Sequence, residues 1–231
     1  MLIAERNGMM VKSRPYDAEV EYLESTGTQW IDIDFSFKDS DGEVLELWLA
    51  AMSTYKATPN TITRGVVCNN LSTEPQITGS AISVQFYWAQ TWRVGVNGWG
   101  NIHGSSSIAQ NRTFYGRLDR ISKTFYREQS GTSLLETDNR FGGPFTGIPY
   151  VLFANTATGV LPYPARLWYV KFAVDGIVKR DLIPVRKGQI GCMYDKVSGR
   201  AFYNANKSAS AEPFIIGTDK VSSAGGGGVI S

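Results

Sequence analysis

The chain has 231 residues and a net charge of +2, from 23 basic and 21 acidic side chains, with no basic run longer than two. That balance argues against a nucleic-acid surface, and 42% hydrophobic residues argue against a disordered chain. No apolar stretch approaches the roughly 18 residues of a membrane span.

Twenty-four glycines with 11 Tyr, 11 Phe and 6 Trp favour many strands joined by turns. Residues 1–18 lack periodicity and read as an extended arm. A first strand pair is expected over 19–23 and 30–35, with Ser25-Thr26-Gly27 as its turn. Asp39-Ser40-Asp41-Gly42 reads as a turn, and 43–52 as a long buried strand. A loop over 54–63 leads to a short strand over 64–69.

In 81–90, Ile82, Val84, Phe86 and Trp88 alternate with Ser83, Gln85 and Tyr87, which is the period of a two-faced strand. A second strand, 92–96, follows, and 97–101 reads as a turn carrying Trp99. Residues 112–119 and 123–127 form a hairpin. Ser130-Gly131 turns the chain into a strand over 133–137, and 150–154 reads as a buried strand. Trp168, Val170, Phe172 and Val174 alternate with Tyr169, Lys171 and Ala173. Asp175-Gly176 supplies the positive φ angles of a tight hairpin. Pro184 lacks a donor, so the return strand is expected to be an edge or to end there. Tyr194-Asp195-x-x-Ser198-Gly199-x-x-Phe202 reads as a second, small hairpin. Trp30, Trp48, Trp88 and Trp168 are expected in the core. Residues 220–231 form a flexible, Gly-rich tail, whose tip, Val229-Ile230, is expected to dock on a neighbouring subunit. Strands at 8–12-residue spacing without a long helix point to an all-β sandwich.

Two motifs carry a resemblance. One is Glu21-Tyr22-Leu23-Glu24-Ser25-Thr26-Gly27-Thr28-Gln29-Trp30-Ile31-Asp32. The other runs from Asp175-Gly176 through Arg180-Asp181-Leu182-Ile183-Pro184-Val185-Arg186 to Gly191-Cys192-Met193-Tyr194-Asp195, Ser198-Gly199, Phe202 and Asn204-Ala205. Together they resemble the concanavalin A-like, or laminin G-like, domain of gut-bacterial surface proteins and phage structural proteins. One departure is the long segment 206–213 before Phe214. The resemblance implies an antiparallel β-sandwich, a concanavalin A-like jelly roll, over 19–219.

That architecture hosts glucanases as well as lectins. Retaining glycosidases need two carboxylates about 5–5.5 Å apart, commonly on a Glu-x-Asp-x-Glu strand, and none is present. Glu19-x-Glu21, Asp32-x-Asp34 and Glu43-x-x-Glu46 are the nearest approaches. His103, the one histidine, is read as a solvated residue of a Gly/Ser loop and cannot form an imidazole metal cluster. Calcium could be held by Asp39 and Asp41; otherwise no cofactor is expected. Cys68 and Cys192 are read as buried free thiols. Tyr87, Trp92, Arg93, Asn97 and Trp99 form the candidate glycan site, rings for pyranose faces and polar groups for hydroxyls.

The opening Met1–Asn7 lacks a secretory apolar run. With the resemblance and the two ends read as arm and tail, this makes the leading expectation a non-enzymatic bacteriophage virion protein (capsid decoration, head fibre or tail-associated), assembled in the host cytoplasm and displayed on the virion surface. Its partners would be other virion subunits and further copies of itself. The alternative is a glycan-binding adhesion module for cell-surface or mucus saccharides, and the third reading a glucanase-like hydrolase.

Overall fold

The structure is a computed structural model that describes residues 14–38, 41–54, 64–68, 82–87, 91–96, 99–103, 112–143, 145, 147–156, 162–208 and 210–220; of 64, 87, 91–93 and 99–103 it describes the backbone. The strands are β1 (Ala18–Glu19), β2 (Leu23–Ser25), β3 (Ile31–Asp32), β4 (Val44–Ser53), β5 (Arg64–Cys68), β6 (Ile82–Tyr87), β7 (Thr91–Val96), β8 (Trp99–His103) and β9 (Arg112–Asp119). They continue as β10 (Thr124–Gln129), β11 (Thr132–Thr137), β12 (Val151–Leu152), β13 (Ala165–Val174), β14 (Ile177–Lys187), β15 (Ile190–Asp195), β16 (Arg200–Phe202) and β17 (Ile215–Ile216). All pairings are antiparallel. The larger sheet runs β11-β10-β9-β4-β13-β14-β15-β16, with β2, β17 and β1 attached, and the smaller runs β3-β12-β5-β6-β7-β8. Among the described residues helix is limited to the 3-10 turn Asn139–Gly142. The chain is thus an all-β antiparallel sandwich.

The core lies between the sheets. Leu45, Leu47 and Leu49 of β4, Phe114 and Leu118 of β9, and Val170 and Phe172 of β13 face Ile82, Val84 and Phe86 of β6 and Val94 and Val96 of β7. Each set recurs at period two, so one face of every strand leaves water. Tyr150 is fully buried among Phe35, Phe37 and Phe172, and its hydroxyl donates to the Ile82 carbonyl at 2.7 Å.

The hairpins at Asp175-Gly176 and Ser130-Gly131 take positive φ at both central residues, 48° and 75°, and 49° and 84°. These are the primed turns that match strand twist. The Tyr194–Phe202 motif owes its residue types to Asp195. Its buried carboxylate accepts from Asp181 N, Val197 N, Ser198 N and Ser198 Oγ, so one side chain closes the turn and fastens it to β14.

Four expectations are corrected. Residues 19–23 and 30–35 are not a hairpin. β2 pairs with β13 and β17 in the larger sheet, whereas β3 pairs with β12 in the smaller. Ser25–Gln29 crosses between layers, because Leu23 and Ile31 both enter the core from opposite sheets. β14 is not an edge and does not stop at Pro184. The Pro184 carbonyl accepts Val20 N–H at 3.1 Å, where β14 exchanges β13 for β1 as its neighbour. The missing donor therefore costs no bond to β15. Trp99 is not on a turn: it opens β8 opposite Val96. His103 ends that strand, opposite Arg93, and is not in a loop.

At the N-terminus, Asp17 N–H donates to the Arg186 carbonyl at 2.9 Å and the Tyr16 ring lies 4.9 Å from Tyr194, so sheet contacts reach into the segment read as an arm. Beyond 206–213, β17 does pair, Ile216 opposite Leu23.

Candidate functional site

The outward face of the larger sheet carries an aromatic shelf. On β4, Leu45, Leu47 and Leu49 point inward, so Glu46 and Trp48 point outward, and Trp48 is half-buried. On β9, Phe114, Gly116 and Leu118 point inward and leave Thr113, Tyr115 and Arg117 outside. Register sets Tyr115 directly opposite Trp48, and the two rings stack with centroids 5.0 Å apart at 26°. Tyr126 of β10 adds a third ring, 5.9 Å from Tyr115, and its hydroxyl donates to Ser133 Oγ. Tyr169 of β13 lies beside Ala50. Small residues at Ala50 and Thr113 leave a depression of about 250 Å³ lined by Trp48, Thr113, Tyr115, Glu128 and Tyr169.

The Tyr115 hydroxyl donates to Glu46 Oε1 at 2.7 Å. Burial, with that bond, pushes its ionisation well above the usual tyrosine range, and burial also raises Tyr169. Both phenols are therefore neutral donors at physiological pH. The shelf offers half-buried aromatic surface for the apolar side of a flat ligand, and phenol and carboxylate groups at its margin for hydroxyls.

A second cavity, about 400 Å³, opens where the segment after β3 meets the β13–β14 hairpin, lined by Asp34, Phe35, Lys38, Asp41, Lys179 and Arg180. Its polar groups are largely engaged. Asp34 Oδ2 meets Arg200 Nη1 at 3.2 Å, Asp41 Oδ2 accepts Lys38 N–H, and Arg180 donates to the Asp34 and Lys179 carbonyls.

Of the sequence-predicted glycan residues, Tyr87, Trp92, Arg93 and Trp99 fall on three neighbouring strands of the smaller sheet. Trp92 is opposite Phe86, Arg93 is between Gln85 and His103, and Trp99 is opposite Val96. Asn97 lies outside the described residues, as do the side chains of the other four. Asp41 closes a local turn through Lys38. Asp39, Val229 and Ile230 lie outside the described residues. Among the described residues no three His, Cys, Asp or Glu side chains converge on a metal-sized site. Cys68 and Cys192 are both buried and are not joined in a disulfide.

Trp30, Trp48 and Trp168 are half-buried rather than core, and Trp88 lies outside the described residues. Trp168 sits at a bulge between Leu167 and Tyr169, which shifts the alternation and turns Tyr169 outward. The signal for the shelf was in the sequence: Trp48 and Tyr115 are each out of phase with the leucines and phenylalanines of their own strand.

No protein-family model matches the chain, and no curated protein matches it. Solved structures do. Over 87% of this chain, the fold superposes on a candidate carbohydrate binding protein from Bacteroides ovatus at 9% identity with a TM-score of 0.54, and the chain spans 60% of that protein. The CBM40 module of the Ruminococcus gnavus IT-sialidase, solved with α2,3-sialyllactose, matches 66% of this chain and 89% of its own at 9% identity and a TM-score of 0.48. At such identities the likeness is one of fold: this is a jelly-roll sandwich.

Proposed function

We propose that the chain is a lectin-like module, without catalysis of its own, that holds saccharides on the aromatic shelf of its larger sheet. The stacked Trp48–Tyr115 pair carries this reading. Two large, half-buried rings lie face to face on the outer face of the sheet rather than in the core, bordered by Glu128 and Tyr169. Aromatic rings are amphipathic and pay little conformational entropy on binding, so such a pair suits a ligand that is apolar on one face and hydroxylated at its rim. The sandwich shared with the B. ovatus protein supports the same reading.

A glycan array of neutral and acidic oligosaccharides, followed by calorimetry on the best ligand, tests it. Trp48→Ala should weaken binding at least about thirtyfold, the loss expected of a central Trp anchor, with the melting temperature lowered by no more than a few degrees. Unchanged affinity in Trp48→Ala, or loss only in Trp92→Ala or Trp99→Ala, would move the site to the smaller sheet. A virion-subunit role for the same module rests on the sequence resemblance and is compatible with glycan binding. It requires that removing residues 1–17 or 221–231 block incorporation into particles while the domain stays folded, and normal incorporation of both truncations would overturn it.

A further inference from the structure

Strand β11 is one end of the larger sheet and, among the described residues, pairs with β10 alone. Its sequence is Thr-Ser-Leu-Leu-Glu-Thr, and all but Glu136 are exposed, Leu135 at 64% and Leu134 at 38%. Of the devices that usually blunt a sheet edge, β11 has one charge, Glu136, but no Lys, no Pro and no bulge, since its register with β10 is unbroken from Gln129↔Thr132 to Thr124↔Thr137.

The turn fixes which groups are free. Positive φ at Ser130 and Gly131 makes a two-residue hairpin, so Gln129 and Thr132 are its hydrogen-bonded closing pair. Alternation then sends the N–H and C=O of Thr132, Leu134 and Glu136 to β10, and those of Ser133, Leu135 and Thr137 outward. We propose that β11 is a self-pairing edge, at which a second copy of this chain docks antiparallel about a twofold axis through Leu134. A twofold perpendicular to the sheet continues each face into the same face of the partner, so paired residues must have the same parity. Centring on Leu134 sets Ser133 opposite the partner's Leu135 as a hydrogen-bonded pair, and Leu134 opposite its own copy. Thr132 then meets the partner's Glu136, so each carboxylate has a hydroxyl opposite it. Centring on Leu135 instead would set Leu134 against that carboxylate. The surface is isologous, the closed arrangement that most homodimers use.

The experiment is disulfide trapping on the full chain. Leu134 and its copy form a non-hydrogen-bonded pair, with Cα atoms about 4.5 Å apart, inside the range a disulfide accepts. Leu134→Cys should give a covalent dimer under mild oxidation, whereas Thr132→Cys and the parent chain, whose two thiols are buried, should not. Sedimentation velocity of the parent chain should show a concentration-dependent dimer that Leu135→Pro removes, because that proline deletes an outward donor and no bond to β10. Circular dichroism and the melting temperature of Leu135→Pro establish that it folds. The proposal is overturned by a monomer at all concentrations, by a dimer insensitive to Leu135→Pro in the folded variant, or by cross-linking at Thr132→Cys and not at Leu134→Cys.

Discussion

Cys192 sits on the face of β15 that packs with Ile183 and Val185, 1% exposed. Burial pushes its thiol up to about 11 from an ordinary 9. The folded state thus keeps a proton that the unfolded chain releases near pH 9. The associated stability is fully present below that pH and is lost as pH rises from about 9 to about 11, on the order of 2 kcal/mol in all. Because the thiolate is the reactive species, Cys192 should resist an aromatic disulfide reagent at pH 8 and react only as the chain unfolds in urea. Fast labelling of the native chain, lost in Cys192→Ser, would contradict the burial. Among the aromatics, exposure and hydrogen bonding separate ligand-contact candidates from core residues. Trp48 is worth testing as a ligand contact because its ring stacks on Tyr115 at the surface. Tyr150, whose hydroxyl is spent on the Ile82 carbonyl, is a core residue.

At the scale of elements, two glycines show how different physical demands select the same residue. Gly176 has φ of +75° with nothing near a would-be Cβ. Gly176→Ala should therefore cost only the left-handed penalty, about 1–2 kcal/mol. Gly65 has no such φ, but a Cβ there would fall 2.3 Å from the Ala154 carbonyl oxygen and 2.7 Å from Cys68 Cβ, so backbone must shift. Gly65→Ala should cost more than Gly176→Ala in urea denaturation, and the reverse order would mean that the segment carrying Ala154 yields easily. The first demand was legible in the sequence, because Asp-Gly between alternating strands names its own turn. The second was not, since Gly65 and Ala154 meet only when β5 and the segment after β12 are brought together. Long strands such as β4, β9 and β13 were readable for the same reason as the turn: one period-two pattern suffices. The misread hairpin failed because alternation gives the faces of a strand but not its partner. The shelf was legible only in part, since Trp48 and Tyr115 are outward by phase, whereas their facing depends on register.

For the whole molecule, the first motif, the end of the second and the segment that follows it form one joint. Gln29, fully buried, accepts from Thr26 N–H at 2.8 Å and from Ser25 Oγ at 3.0 Å. Its amide nitrogen donates to the Glu212 and Pro213 carbonyls at 3.1 and 3.0 Å. The Ala205 N–H donates to the Trp30 carbonyl at 2.8 Å alongside. One side chain therefore closes the crossing between the two sheets and fastens the segment that delivers Phe214 to the core and β17 to β2. The residues lie more than 180 positions apart, so the joint ties the start of the sandwich to its end. Gln29→Ala removes the side-chain partner of the Thr26 N–H and of the Pro213 carbonyl and leaves the Glu212 carbonyl with Asn204 Nδ2 alone, at about 0.5–1.5 kcal/mol for each hydrogen bond lost. The loss should be local before it is global. In native-state hydrogen exchange of Gln29→Ala, amides of 203–217 should exchange faster while those of β13 and β14 keep their protection up to the new global stability. Equal acceleration everywhere would mean that the last segment unfolds only with the whole sandwich. Unchanged exchange at Ile215 and Ile216 would mean that β2 holds β17 without the glutamine.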